Sequence, residues 1–280
     1  MIEMSTGMQG SVAVRSSMFK VESLSDMEMP VNTFKKAIRD ARPQIGLWCS
    51  SCSNVTAEAI AGAGFDWILI DTEHAPNEVP MVLSQLQAMV GGTAAAVVRP
   101  AWNDLVLIKR LLDVGAQNLL VPYVQTVEEA RAAVAAVRYP PQGIRGVAVL
   151  HRANRFGRVK NYFNRANEEI GLLLQVETRA ALQNLEAIAA VEGVDGLFIG
   201  PSDLAAALGH LGDNGHPNVR AAIEDAVQRI RKAGKAAGIL ASLEADARHW
   251  LAQGCTVVAV GSDLGLLARS SEALAAKFKN

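Results

Sequence analysis

A closed (β/α)8 barrel, the TIM-barrel class of α/β fold, is what this sequence predicts, and two observations carry the prediction. From Val31 onward, short β-rich runs alternate with helical patterns at intervals of about 25 residues, the spacing of βαβ units, with Gly and Pro as punctuation. Most of these runs are apolar at every position rather than at alternate ones, as parallel strands buried on both faces must be. Eight units can be counted in the 280 residues, and a single barrel domain takes about 250. A doubly wound open sheet is the alternative arrangement.

The strand candidates are 45–49, 67–71, 95–99, 119–123, 172–177, 196–199, 237–241 and 257–261. Helical runs such as NDLVLIKRLLDVG, VEEARAAVAAVR and NVRAAIEDAVQRIRKAG separate them, several closing on a Gly just past the last periodic residue. The longest departure is the Arg-rich stretch 138–169, too long for an ordinary loop and helix, which is expected to lie over the barrel mouth as a cover. Residues 1–30 are polar, Met- and Ser-rich and lack periodicity, and read as a flexible extension before a single domain at 31–280.

A formal net charge of -1 leaves no field to draw nucleic acid or an anionic membrane, and no Lys/Arg cluster is interleaved with aromatics. Neither partner is indicated. No apolar run reaches the roughly 18 residues of a membrane span or forms a signal peptide, so a cytoplasmic location is expected. Cys49 and Cys52 form a C-S-S-C after a strand rather than at a helix start, which favours ordinary reduced thiols over redox work.

In a barrel of this class the chemistry sits at the C-terminal strand ends, and there polar residues gather. Trp48 lies at the end of the first strand, Asp71-Thr72-Glu73-His74 follows the second, Arg99 ends the third, Gln175 and Glu177 the fifth, and Ser202 and Asp203 follow the sixth. Singly, each has a bland reading as a cap, a rim ion pair or a bonded core group. Together they mark a site. Glu177 and Asp203 stand at the ends of successive strands, about 4.8 Å apart in a parallel sheet, so both carboxylates can converge on one hard cation. With two carboxylates and no second His or Cys at ligand spacing, that cation is expected to be Mg²⁺ or Mn²⁺, with Co²⁺ also suited. Period-2 alternation sets Gln175 one row below Glu177, toward the same ligand. Arg99 offers a planar fork to a substrate carboxylate or oxyanion, or else pairs with Asp71 or Glu73. His74 alone among the five histidines directly follows a strand in this cluster; it is a proton shuttle or a loop cap. No lysine falls on a strand candidate, which excludes imine chemistry and leaves Lewis-acid polarisation of a keto acid.

The segments DTEHAPN (71–77), VVRP (97–100), LLDVGAQNLLVPYVQ (111–125), RYPPQGIRGV (138–147), QVET (175–178), GVDGLFIGPSDLA (193–205) and VAVGSD (258–263) together resemble the HpcH/HpaI aldolase family. The resemblance runs from about Phe34 to the C-terminus. It implies a class II, divalent-metal-dependent pyruvate aldolase that reversibly cleaves a 4-hydroxy-2-oxo acid to pyruvate and an aldehyde, in aromatic compound catabolism. By the same resemblance, Glu177 and Asp203 match the metal ligands, Gln175 and the backbone at Ser202 the substrate contacts, Arg99 the enolate-stabilising arginine and His74 the general base. Asp113 matches an aspartate that raises the basicity of that histidine. Since Asp113 closes a helix that runs back toward the barrel bottom, a neighbouring subunit must supply it, or else Asp71 orients His74. The resemblance further implies a homohexamer, a trimer of dimers that exchange the C-terminal helix around 266–278. Cys49, Cys52 and the stretch Val149-Leu150-His151 depart from the family pattern at segments expected to border the aldehyde end of the site. Other enolate-forming lyases, acyl-CoA lyases among them, and a noncatalytic metabolite-binding barrel are the alternative functions.

Overall fold

A computed structural model describes residues 27–279. Eight parallel strands close into a barrel in chain order: β1 (Gln44–Cys49), β2 (Trp67–Asp71), β3 (Ala95–Arg99), β4 (Asn118–Val121), β5 (Gly171–Val176), β6 (Gly196–Ile199), β7 (Ala236–Leu240) and β8 (Val257–Ser262). The helices around them are α1 (Thr33–Arg39), α2 (Asn54–Ala61), α3 (Val79–Ala88), α4 (Leu105–Asp113), α5 (Val127–Val137), α6 (Tyr162–Glu169), α7 (Arg179–Gln183), α8 (Leu185–Ala189), α9 (Pro201–Ala207), α10 (Pro217–Lys232), α11 (Glu244–Ala252) and α12 (Asp263–Lys279). The open-sheet alternative is excluded because β1 pairs with both β2 and β8.

Alternation along the strands splits the core in two. Residues such as Leu47, Ile68, Ile70, Val98 and Leu174 point outward and pack beneath the helices, while Trp48, Trp67, Leu69, Val97, Leu173 and Phe198 fill the interior. Phe34 of α1 plugs the lower end against Trp67, ring centroids 6.0 Å apart. The Trp67 ring lies across Gly46, where any Cβ would meet it at 2.1 Å; only glycine lets the indole cross the barrel. Removing such a fully buried ring costs roughly 3–5 kcal/mol.

The loops at the mouth end in helix caps that set where each helix begins. Ser53, Asp104 and Thr178 accept from backbone N–H groups of α2, α4 and α7. Thr126 and Glu129 form a reciprocal capping box on α5.

The segment expected to cover the mouth lies at the opposite end. It follows α5 rather than a strand, so it belongs to the connections that return helices to the strand starts. Arg152 pins it there, donating to the Val114 carbonyl (2.8 Å) and the Leu86 carbonyl (3.2 Å) just where α4 and α3 run out. Within one chain, therefore, Val149, Leu150 and His151 do not border the site. Residues 1–26 of the expected extension lie outside the described residues. Met29 is buried, and the Pro30 carbonyl accepts from Gln117 at 2.8 Å, so 27–30 pack onto the underside. Among the described residues no helix is long and apolar enough to cross a membrane.

Candidate active site

The inward positions of β2, β3 and β5 reach the mouth as Asp71, Arg99 and Gln175, all buried, and Glu177 follows one step beyond β5. They form one chain of contacts. Arg99 donates through Nε to Asp71 Oδ1 (2.9 Å) and through Nη2 to Asp71 Oδ2 (2.6 Å). Its Nη1 reaches Gln175 Oε1 at 3.4 Å, and the Gln175 amide donates in turn to Glu177 Oε2. Arg99 Nη1 also stands 2.8 Å from Glu73 Oε2 as an ion pair, out of hydrogen-bond alignment. Beneath the guanidinium lies the Trp48 ring, 5.4 Å from Cζ to centroid. Trp48 is thus the floor of the site, fixed by its contacts with Trp67 and Phe198.

The alternative reading of Arg99 as the partner of Asp71 and Glu73 describes its contacts, and those contacts aim its fork at Gln175. Asp71 does not orient the His74 ring. Its Oδ1 accepts the backbone N–H of Glu73 (3.0 Å) and of His74 (3.4 Å), and its carboxylate is consumed by Arg99. Burial pushes the Asp71 carboxyl upward, but the hydrogen bonds and charge of Arg99 outweigh burial and hold it below the ordinary carboxylate range. The His74 side chain is 65% exposed, with Nε2 3.9 Å from Glu73 Oε1.

Glu177 is the opposite case. Burial, then the negative charges of Asp203 and Glu73, raise its carboxyl to about 7, against the lowering effect of the Gln175 amide and the Tyr123 N–H. Among the described residues it has no ion-pair partner. Glu73 is raised as well, chiefly by burial. Asp203 sits half-buried in the first turn of α9 beside Ser202, whose hydroxyl accepts from Asn214 at 3.1 Å.

A carboxylate whose ionisation is disfavoured first by burial and then by two neighbouring carboxylates fits a site for a hard cation, which would relieve the desolvation and the repulsion together. Among the described residues, no group of three or more His, Cys, Asp or Glu side chains is placed to hold a metal. The carboxylates whose charges act on Glu177 there are Asp203 and Glu73.

Three further residues shape the site. Gly200 lies against Glu177, and a Cβ there would meet Oε2 at 2.1 Å and the Gln175 amide at 2.9 Å. Tyr123, expected inside the fourth strand, falls beyond it because Pro122 has no N–H to donate to a ladder; its own N–H holds Glu177 Oε1 at 3.0 Å. Asp263 accepts from Ser50 N (2.9 Å) and Ser51 N (3.0 Å), tying the first mouth loop to α12. The three cysteines are free thiols, and burial together with Asp263 pushes Cys49 up to about 12, where it is unreactive. Proline 122 was the one available signal.

Asp113 is not brought to the site. It ends α4 at the lower face, where Arg145 Nη2 bonds its Oδ1 at 2.8 Å. Arg145 is itself fully buried under Tyr139, 4.4 Å from Cζ to ring centroid.

The profile of HpcH/HpaI aldolase/citrate lyase proteins matches residues 44–270. A pyruvate aldolase of Rhizobium etli is 61% identical over 90% of this chain and 99% of its own length. A 4-hydroxy-2-oxo-heptane-1,7-dioate aldolase of Klebsiella pneumoniae is 60% identical over 88% of this chain and 94% of its own. Among solved structures, an HpcH/HpaI aldolase/citrate lyase family protein from Burkholderia cenocepacia superposes with a TM-score of 0.87 at 40% identity, covering 89% of this chain and all of the other. With the closed barrel and this cluster at its mouth, these likenesses establish that the chain belongs to the HpcH/HpaI aldolase/citrate lyase family.

Proposed function

We propose that this chain is a class II pyruvate aldolase, a carbon–carbon lyase that reversibly cleaves a 4-hydroxy-2-oxo acid into pyruvate and an aldehyde. The observation that supports it most is the buried Glu177 carboxylate, raised to about 7 beside Asp203 and joined through Gln175 to the Arg99 fork. Similarity to relatives named as aldolases supports it independently.

Glu177 and Asp203 are the residues that would hold the divalent cation, with Mg²⁺ or Mn²⁺ the leading candidates and Co²⁺ also suited. When bound, such a cation supplies Lewis-acid polarisation of the 2-oxo group. Gln175 and the backbone at Ser202 position the pyruvyl carboxylate. Arg99, held rigid by Asp71, donates to the oxygen on which negative charge develops as the C3–C4 bond breaks. Trp48 closes the space below. His74, open to solvent, takes the proton of the 4-hydroxyl, so that the bonding pair leaves on C3 as the enolate and the aldehyde departs. Protonation at C3 completes pyruvate.

We further propose a homo-oligomer, a hexamer of three dimers, in which the Asp113 of one chain serves the His74 of another. Exposed Leu266, Leu267, Leu274 and Phe278 along α12, and Val147, Val149 and Leu150 in the segment that follows Arg145, are apolar surface of the kind that subunit contacts cover. The cytoplasm is the compartment this reading assigns.

Incubating the protein with pyruvate and Mg²⁺ or Mn²⁺ in D₂O tests the activity. Exchange of the pyruvate C3 protons that stops on chelation is expected; a metal-loaded protein that leaves them in place refutes the reading.

A further inference from the structure

Tyr123 has a backbone φ of 58°, in the left-handed region that a bulky residue seldom enters without a reason in the surrounding structure. Here the reason is visible. Its N–H is bonded to Glu177 Oε1 at 3.0 Å, and the next N–H, that of Val124, to the Gln175 carbonyl at 3.1 Å. The turn is thereby fastened to both residues that β5 sends into the site. The Tyr123 ring then stacks on Trp102, centroids 5.6 Å apart and planes at 30°.

Trp102 comes three residues after Arg99, in the loop that leads from β3 to α4. Asn103 secures that loop by donating to the Glu129 carbonyl at 3.0 Å, and Asp104 caps the helix beyond. Of the four tryptophans, three are buried in the core, whereas Trp102 is 52% exposed. A large aromatic face is therefore held open at the mouth, its position fixed through Tyr123 to the carboxylate of the proposed cation site. The proposed mechanism uses neither ring.

We propose that Trp102 and Tyr123 form the shelf that receives the aldehyde half of the substrate, and that they select flat, apolar aldehydes by stacking. This inference rests on the aldolase reading and deepens it. An aromatic aldehyde lying on the Trp102 face gains the offset-stacked contact that aromatic pairs prefer. A two-carbon aldehyde has nothing to stack.

Addition of pyruvate to benzaldehyde and to acetaldehyde is measured for wild type, Trp102→Ala and Trp102→Phe, each with its metal, together with pyruvate C3 exchange in the wild type. Trp102→Ala is expected to lower kcat/KM for benzaldehyde relative to acetaldehyde by about threefold to tenfold, the size of one aromatic pair, chiefly through KM. Trp102→Phe should restore most of the preference. Equal losses for both aldehydes, with or without a change in assembly mass, would show that Trp102 serves the fold or a subunit contact and overturn the proposal. An unchanged ratio also overturns it. Wild-type exchange without a selective effect of Trp102 refutes the shelf alone, whereas absence of exchange removes the aldolase reading and the shelf with it.

Discussion

Asp71 and Arg99 are register partners on β2 and β3, and their side chains meet as a two-point ion pair at 2.9 and 2.6 Å inside the barrel mouth. That pair fixes the orientation of the one guanidinium that the described residues bring to the candidate site. It also explains why a lysine cannot stand in, since an ammonium, with its N–H groups all on one nitrogen, cannot hold both oxygens of Asp71 and reach Gln175 as the planar fork does.

Arg99→Lys is accordingly expected to lose cleavage and pyruvate proton exchange by at least about a hundredfold, the order seen when an oxyanion donor is removed. Asp71→Asn should lower kcat less and stability more, because it takes the two-point counter-charge from a buried guanidinium and leaves it only Glu73, at up to about 3–5 kcal/mol. Denaturant melts and exchange rates on the two variants check this. An Arg99→Lys enzyme with normal exchange rules the arginine out.

Glu177→Ala and Asp203→Ala should each abolish titratable Mg²⁺ or Mn²⁺ binding while the barrel stays folded. Gly200→Ala should weaken it by about tenfold or more, since the new methyl group falls on the Glu177 carboxylate and reorients a ligand, an effect of the size seen when groups supporting metal ligands are altered. Calorimetric metal titration reads all three. Wild-type affinity in Asp203→Ala would place the cation elsewhere.

A pH dependence follows from Glu177. Its carboxyl is raised from 4.5 to about 7 in the folded, metal-free protein. Between those values the folded chain keeps a proton that the unfolded chain has released, so this contribution to stability is greatest on the acid side and is lost as pH rises toward 7. Across the window it amounts to roughly 3 kcal/mol. Thermal unfolding in chelator from pH 5 to 7.5 should therefore fall more steeply for wild type than for Glu177→Gln. Parallel slopes would show that Glu177 is already ionised.

The role of Asp113 is tested by mixing. Asp113→Asn and His74→Ala chains, each inactive alone, should regain part of the activity after subunit exchange, when an intact His74 meets an intact Asp113 across an interface. No recovery in confirmed mixed oligomers would confine Asp113 to its ion pair with Arg145.

The sequence by itself determined the barrel, and for a local reason. Continuous apolar runs, their spacing and the glycines after helices are short-range consequences of strands buried on both faces, so each expected strand falls within two residues of the observed one. Position at a strand end is equally local, which is why Trp48, Asp71, Arg99, Gln175, Glu177 and Asp203 could be named before any coordinates. Only the tertiary structure decided what those residues do to one another. That Asp71 turns to Arg99 instead of His74 depends on strand register; that Glu177 is raised depends on burial and on carboxylates that follow two other strands, Asp203 after β6 and Glu73 after β2. Proline 122 breaks a strand that the apolar pattern continues, and the left-handed turn behind it exists because Glu177 and Gln175 hold it. The 138–169 segment lies underneath because it follows a helix, and direction through the barrel is a property of the closed fold that no stretch of sequence carries alone.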